Sequence, residues 1–369
     1  MIFKKMKNKR YFPPELLNSF LDVYSDLIKK NILGYSVNGL PVYELQIGSG
    51  KQKILMWSQM HGNETTTTKA LLDLVPWLLD CKQKNILSSF TFFIIPQLNP
   101  DGSKLYSRLN TNQIDLNRDA LNLTQPESQL LIQAYKRIIP DYALNLHGQR
   151  TIYGVGSSGG PSTISFLAPS ADAARTITPA RSVAMSAIAH IYKFLKKELP
   201  NGISRYDDTF NPNCVGDQFT KSGTPTILFE AGHFPGDYDR EYSKKYIFKS
   251  FKILFNYLLY NNKASGVKEY LNIPENMKNY VDLIVSNINI DVNGMILKNQ
   301  QIAIQYIEEL KNGEIVFHPT FHSYGINLSK LKSHRYIKLS GNESNDPLMF
   351  IKDKIIENSK FYKLFSLDR

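Results

Sequence analysis

Residues 53–75, KILMWSQMHGNETTTTKALLDLV, join an apolar run to a threonine-opened, apolar-periodic run through a short polar seam. KILMWSQ has the length and composition of a buried strand, and TTTTKALLDLVPWLL those of a helix that covers it. His61 and Glu64 fall on the seam. Taken alone, the pair reads as a helix start, with Glu64 near the positive end of the helix dipole and His61 filling space. Loops held between a rigid strand and helix are also where chemistry concentrates. The rest of the chain decides between the two.

Working outward, the same alternation repeats. LGYSVNGLPVYELQIG (33–48) alternates around Asn38-Gly39, a hairpin signal. SSFTFFIIPQLNP (88–100), DYALNLHG (141–148) and GTPTILFEAGHF (223–234) read as strands. QPESQLLIQAYKRIIP (125–140), PARSVAMSAIAHIYKFLKKELP (179–200) and REYSKKYIFKSFKILFNYLLY (240–260) read as helices. Strands alternating with helices predict an α/β fold: a mixed, mostly parallel sheet with helices on both faces. Beyond about residue 264 the texture changes to short alternating runs with turns at Asn293-Gly294 and Asn312-Gly313 and no long helix. The expected organisation is an α/β domain over 1–263 and a small β-rich C-terminal module over 271–369. No residue of that module makes a chemical case by its spacing.

Composition narrows the class. The 369 residues are 42% hydrophobic and 12% aromatic, as in a folded globular chain. No apolar run approaches the ~20 residues that cross a bilayer. The net charge of +11 arises from 44 basic against 33 acidic residues, with Lys4, Lys5, Lys7, Lys9 and Arg10 at the start. The remaining lysines are scattered without a basic helix face, which argues against nucleic acid as a partner. With no apolar core of a secretory signal, the chain is expected to be cytoplasmic and independent of membranes. Cys81 and Cys214 form no CxxC pair, and Cys214, in FNPNCVGDQF, reads as a buried structural thiol.

Polar residues fall where the strands end. His61 and Glu64 follow ILMWSQM, His147 ends YALNLHG, and Glu230 ends PTILFEAG. Ligands in open α/β sheets bind outside the carboxyl ends of strands, and a charged residue closing a buried strand is costly without a partner. Two histidines and a glutamate make a donor set suited to a catalytic zinc with one open position. His233 reads as structural or as a support to that site. Residues 99–122, NPDGSKLYSRLNTNQIDLNRDALN, form a long polar excursion, with NPDG as a turn and Arg108, Asn117 and Arg118 projecting from it. Guanidinium groups suit bidentate capture of a carboxylate and stabilisation of an oxyanion.

HGNE, NPDG, SRLN, DLNRD, LHG and FEAGH, in this order over roughly residues 35–260, resemble the zinc carboxypeptidase family of carboxypeptidase A type. The resemblance implies one Zn²⁺ held by His61, Glu64 and His147, with Glu230 as the general acid/base. It also implies Arg108 polarising the scissile carbonyl, and Asn117 with Arg118 gripping a terminal carboxylate. Tyr206, in SRYDDTFN, stands about where the family keeps a tyrosine that closes over substrate. VGDQF (215–219), where the family sets side-chain preference, declares neither a basic nor an aromatic one. The short Glu64–His147 spacing and the want of a recognisable activation segment suggest an intracellular bacterial-type member. The implied activity is hydrolysis of an amide next to a free carboxylate, by a metallocarboxypeptidase acting on peptides. The alternatives are an N-acyl amino acid deacylase of succinylglutamate desuccinylase/aspartoacylase type, and a non-catalytic binding module on the same scaffold.

Overall fold

The structure, a computed structural model, describes residues 10–260, 265–340, 347–348, 350–351, 354–355 and 360–367. Lys4, Lys5, Lys7 and Lys9 of the basic start lie outside the described residues, as do 261–264 at the expected domain boundary.

An eight-stranded mixed sheet organises the first 260 residues. Its strands are β1 (Lys29–Tyr35), β2 (Pro41–Ile47), β3 (Gln52–Ser58), β4 (Phe90–Ile95), β5 (Tyr142–Gly148), β7 (Ile164–Leu167), β8 (Ile203–Arg205) and β9 (Thr226–Ala231), in the order β1-β2-β4-β3-β5-β9-β7-β8. The central pairings β4/β3, β3/β5 and β5/β9 are parallel. The β1–β2 hairpin pairs antiparallel and turns at Gly39, whose φ of +76° explains the glycine after Asn38. Strands β7 and β8, too short to stand out as apolar runs, extend the sheet beyond β9, with β7 antiparallel to it.

Side-chain alternation divides the core into two layers. Ile54, Met56, Leu144, Leu146, Ile227 and Phe229 pack with apolar residues of the helices Thr65–Leu79, Pro179–Leu195 and Glu241–Tyr260. Leu55, Trp57 and Ala143 point the other way, into a cluster with the helices Pro126–Ile138 and Val215–Lys221. A parallel strand buried on both faces needs continuous apolar sequence, which is why ILMW and YALNL carry no polar stripe.

A six-stranded sheet follows. Its members are β11 (Tyr280–Val292), β12 (Met295–Lys311), β13 (Glu314–Gly325), β14 (Lys332–Lys338), β15 (Phe350–Ile351) and β16 (Lys354–Ile355), in the order β14-β11-β12-β13-β16-β15. The predicted short runs are therefore long strands of 13, 17 and 12 residues in β11, β12 and β13, bent by register shifts. Two ties join the segment after residue 264 to the first 260 residues, one of them a separate two-stranded sheet. Strand β6 (Tyr153–Val155) pairs antiparallel with β10 (Asn276–Lys278). Buried Asp282 accepts from Thr151 Oγ1 at 3.2 Å, Tyr238 Oη at 2.9 Å and the Tyr306 amide at 2.7 Å.

NPDG is a helix start rather than a loop. The Asn99 side chain caps the helix Pro100–Leu105 by accepting from the Gly102 amide at 2.8 Å, and Pro100 occupies its first turn.

Candidate active site

The seam after β3 is built by close packing of two motifs. Gln59 adopts a φ of +44°, and its side chain donates to Gly62 O at 2.8 Å and Ser103 Oγ at 2.9 Å. Asn99 donates through Nδ2 to Met60 O at 3.2 Å. A Cβ on Gly62 would lie 2.0 Å from the Gly102 carbonyl carbon, so the glycines of HGNE and NPDG let two backbones touch. His61 and Glu64 are thus braced from behind by the Pro100–Leu105 helix.

Glu64 precedes the helix Thr65–Leu79 at its cap position, yet its side chain makes no cap hydrogen bond. Its carboxylate turns into the site instead. It lies 2.8 Å from His61 Nδ1 and 3.0 Å from His147 Nδ1, and accepts from the Gly148 amide at 2.9 Å and Arg108 Nη1 at 3.2 Å. The helix-cap reading of this residue fails on that geometry. His61 Nδ1 and His147 Nδ1 stand 3.2 Å apart, and one donor atom from each of His61, Glu64 and His147 lies within 4.8 Å of the others. Two inward nitrogens and one carboxylate, all buried, form the donor chemistry of a zinc site.

Electrostatics follow from this packing. Burial alone would push the Glu64 carboxyl up, but the two histidines hold it well below the ordinary range. Burial lowers His147, whereas for His61 the carboxylates of Glu64 and Asp115 outweigh burial and raise it. The Asp115 carboxylate accepts from the far His61 nitrogen, Nε2, at 3.0 Å, which fixes which nitrogen faces inward. Sequence reading passed over Asp115. Its signal was the leading acid of DLNRD, and its partner lies 54 residues away.

The parallel register of β5 and β9 sets His147 beside Glu230 on the same face of the sheet. Glu230 is buried, its Oε2 has no hydrogen-bond partner among the described residues, and burial reinforced by the Glu64 charge raises its carboxyl well above the usual range. Arg108 spans Asp115 Oδ2, at 3.2 and 3.0 Å from Nε and Nη2, and Glu64, while its side chain stays 46% exposed. Arg118 donates to Asn117 O at 2.8 Å and Cys214 Sγ at 3.1 Å, and Asn117 Oδ1 accepts from the Val215 amide at 3.2 Å.

All eight singled-out residues line one cavity of about 930 Å³. Tyr206 reaches it half-buried, its hydroxyl 3.2 Å from that of Tyr153. Cys214 is not a buried structural thiol: it is half-buried on the cavity wall, and burial pushes its thiol up to about 11. Asp217 of VGDQF also lines the wall, its carboxyl raised by burial to about 7. His233 lies outside this wall; fully buried, it packs against His334 with the rings tilted and their centroids 4.2 Å apart. Arg240, buried and lowered by that burial to about 10, donates to Gln149 O at 3.1 Å and so ties down the chain just past His147.

Residues 15–161 match the family model described as zinc carboxypeptidase. Over that segment, less than half of its length, the chain is similar to zinc carboxypeptidases. Among curated proteins it is similar to carboxypeptidase SOL1 of Arabidopsis thaliana, 31% identical over 137 residues, covering 31% of this chain and 28% of that protein. It is also similar to carboxypeptidase M of Mus musculus, 30% identical over 171 residues, covering 38% and 39%. The matched segments thus span well under half of those relatives' length. A metallo-carboxypeptidase from Burkholderia cenocepacia shares the fold, with a TM-score of 0.56 at 18% identity over 68% of this chain and 70% of that one.

Proposed function

We propose that this chain is a zinc metallocarboxypeptidase, cleaving the amide bond next to a free carboxylate at a peptide C-terminus. The observation that carries the reading is the convergence of His61, Glu64 and His147 nitrogens and oxygens within 4.8 Å, with the unpartnered Glu230 carboxyl on the adjacent strand. His61 Nδ1, His147 Nδ1 and the Glu64 carboxylate would hold one zinc ion. Bound there, zinc supplies Lewis acidity toward a carbonyl oxygen and lowers the pKa of water toward ~7.

The chain's own groups do the rest. Glu230 takes a proton from the attacking water and returns it to the leaving amine, an exchange for which its unpartnered carboxyl beside His147 is placed. Arg108, anchored on Asp115 and Glu64, directs its remaining N–H groups at the developing oxyanion. Arg118 and Asn117 hold the terminal carboxylate, which fixes the bond to be cleaved. Tyr206 closes over the bound substrate from beside Tyr153. The complete ligand set and the retained Glu230 favour an enzyme over a binding module, and the full DLNRD segment favours a peptide over an N-acyl amino acid.

The test is a matched pair of peptides, one with a free and one with an amidated C-terminus. Release of the terminal residue from the free peptide, lost on chelation and regained with zinc, is the expected result. Equal cleavage of both peptides would remove the exopeptidase reading. Added zinc should also raise stability, by ~2.7 kcal/mol at a concentration 100 times its Kd, measured as a shift in thermal unfolding. Asp115→Asn should weaken zinc affinity by about 10–100-fold, because His61 loses the carboxylate that orients it. Competition against a chromophoric chelator measures that directly.

A further inference from the structure

The cavity has two ends, and the second is furnished partly by the C-terminal sheet. One end is the Asn117–Arg118 corner with Cys214 and the helix Val215–Lys221. The other is made by residues that follow the proposed ligands. Thr65 and Thr66, next after Glu64, bind Arg10: Thr65 Oγ1 donates to its carbonyl at 2.6 Å, and Thr66 Oγ1 accepts from Nη1 at 3.1 Å. Gln149, Arg150 and Thr151 follow His147, and Thr151 accepts from Gln305 Nε2 of β12 at 2.7 Å. Tyr306, Ile307 and Glu308 of β12 line the cavity at this end. The C-terminal module, whose spacing singles out no residue, thus contributes to the cavity wall.

The arginines on the cavity wall separate into two kinds. Arg10 is paired with Glu308 at 3.2 Å, and Arg108 with Glu64 and Asp115. Arg118 has no carboxylate partner among the described residues, and it sits where a terminal carboxylate is proposed to bind. Arg150 is the counterpart at the far end. It is exposed and has no ionic or hydrogen-bonding partner among the described residues. Its backbone is held by the bonds of Gln149 and Thr151 to Arg240 and to Asp282, so a flexible side chain rises from a fixed root. Glu308 cannot serve as its counter-ion without leaving Arg10 and Tyr106, both of which donate to it. Ile307, 54% exposed, adds an apolar surface at the same end.

We propose that the C-terminal sheet is part of the substrate site: β12 and Arg150 receive the portion of the substrate upstream of the scissile bond, and Arg150 selects a carboxylate there. This rests on the carboxypeptidase reading, which fixes the terminal carboxylate at Arg118 and so sends the upstream portion toward Arg150. The preferred substrate then carries two carboxylates, one on each side of the cleaved amide. The second is the side chain of an acidic residue before the bond, or the free end of a dicarboxylic acyl group on a single amino acid.

The experiment compares kcat/KM for isosteric pairs with the zinc-loaded full chain: peptides with Glu or Gln before the scissile bond, and N-succinyl or N-butyryl forms of one amino acid. The expected result is a preference of about tenfold for the charged member, equivalent to about 1.4 kcal/mol, expressed in KM and shrinking as salt rises. Arg150→Gln should bring the ratio toward one, and Arg150→Glu should invert it. A preference in the peptide pair assigns the carboxylate to an acidic residue; a preference confined to the acyl pair assigns it to the acyl group. Hydrolysis without discrimination in both pairs, or discrimination that survives Arg150→Glu, overturns this inference alone. Failure to hydrolyse any member overturns the carboxypeptidase reading beneath it.

Discussion

Glu230→Gln is expected to lower kcat by about 10²–10⁴-fold, the range associated with loss of a positioned general acid/base. The carboxamide keeps the shape of the side chain but neither accepts nor returns a proton. Glu230 stands outside the His61–Glu64–His147 donor set, so zinc content should stay at the wild-type level. Elemental analysis run beside the kinetics separates the two effects. A variant that kept both its zinc and near-normal turnover would end the assignment of Glu230. A variant that lost its zinc would show the carboxylate to be part of the metal-holding set, for which the parallel register with His147 leaves room. The neighbouring Arg108 offers a control of a different kind: its replacement should reduce kcat with Glu230 intact, because it removes charge stabilisation and no proton transfer.

Strand ends were the legible part of this molecule. An apolar run that closes on His-Gly or Glu-Ala-Gly is costly unless something is held there. In the fold, β3, β5 and β9 lie next to each other and bring those ends to one edge of the sheet. Local punctuation also carried through, as at Asn38-Gly39. What escaped reading depends on contacts between distant segments. Asp115 acquires its meaning only because the loop returns to His61. NPDG looked like a turn because a proline followed closely by a glycine suits a turn as well as the start of a capped helix of six residues. The glycine there serves a backbone contact with Gly62 that no local pattern encodes. The β-rich segment offered no candidate residue because none of its residues repeats at an informative spacing. Glu308 joins the cavity through partners nearly 300 and about 200 residues earlier, Arg10 and Tyr106.

That long-range pairing yields the largest expected effect on stability. Glu308→Gln should destabilise the protein by about 3 kcal/mol, the lower end of the cost of removing one partner from a buried ion pair, because Arg10 is buried while Glu308 keeps a quarter of its side chain exposed. Arg10 is buried, raised because Glu308 outweighs the lowering effect of burial, and has no second carboxylate in hydrogen-bonding range among the described residues. Arg240, also buried, lies close enough to repel it. The carboxamide keeps the side chain's shape and one acceptor oxygen, so the loss combines the charge with part of the hydrogen bonding from Arg10 and Tyr106. The pH dependence follows from the direction of the shift. Burial pushes the Glu308 carboxyl up, Arg10 and Arg240 pull it down further, and the net position is below the ordinary value of 4.5. Its stabilisation is therefore present above about pH 4.5 and disappears as pH falls through the folded-state value. Urea unfolding of both proteins at neutral pH and at successively lower pH should show the gap between them closing on acidification. A gap that stayed constant with pH would mean that Glu308 supports Arg10 by shape alone, and that the cavity wall formed by β12 does not depend on its charge.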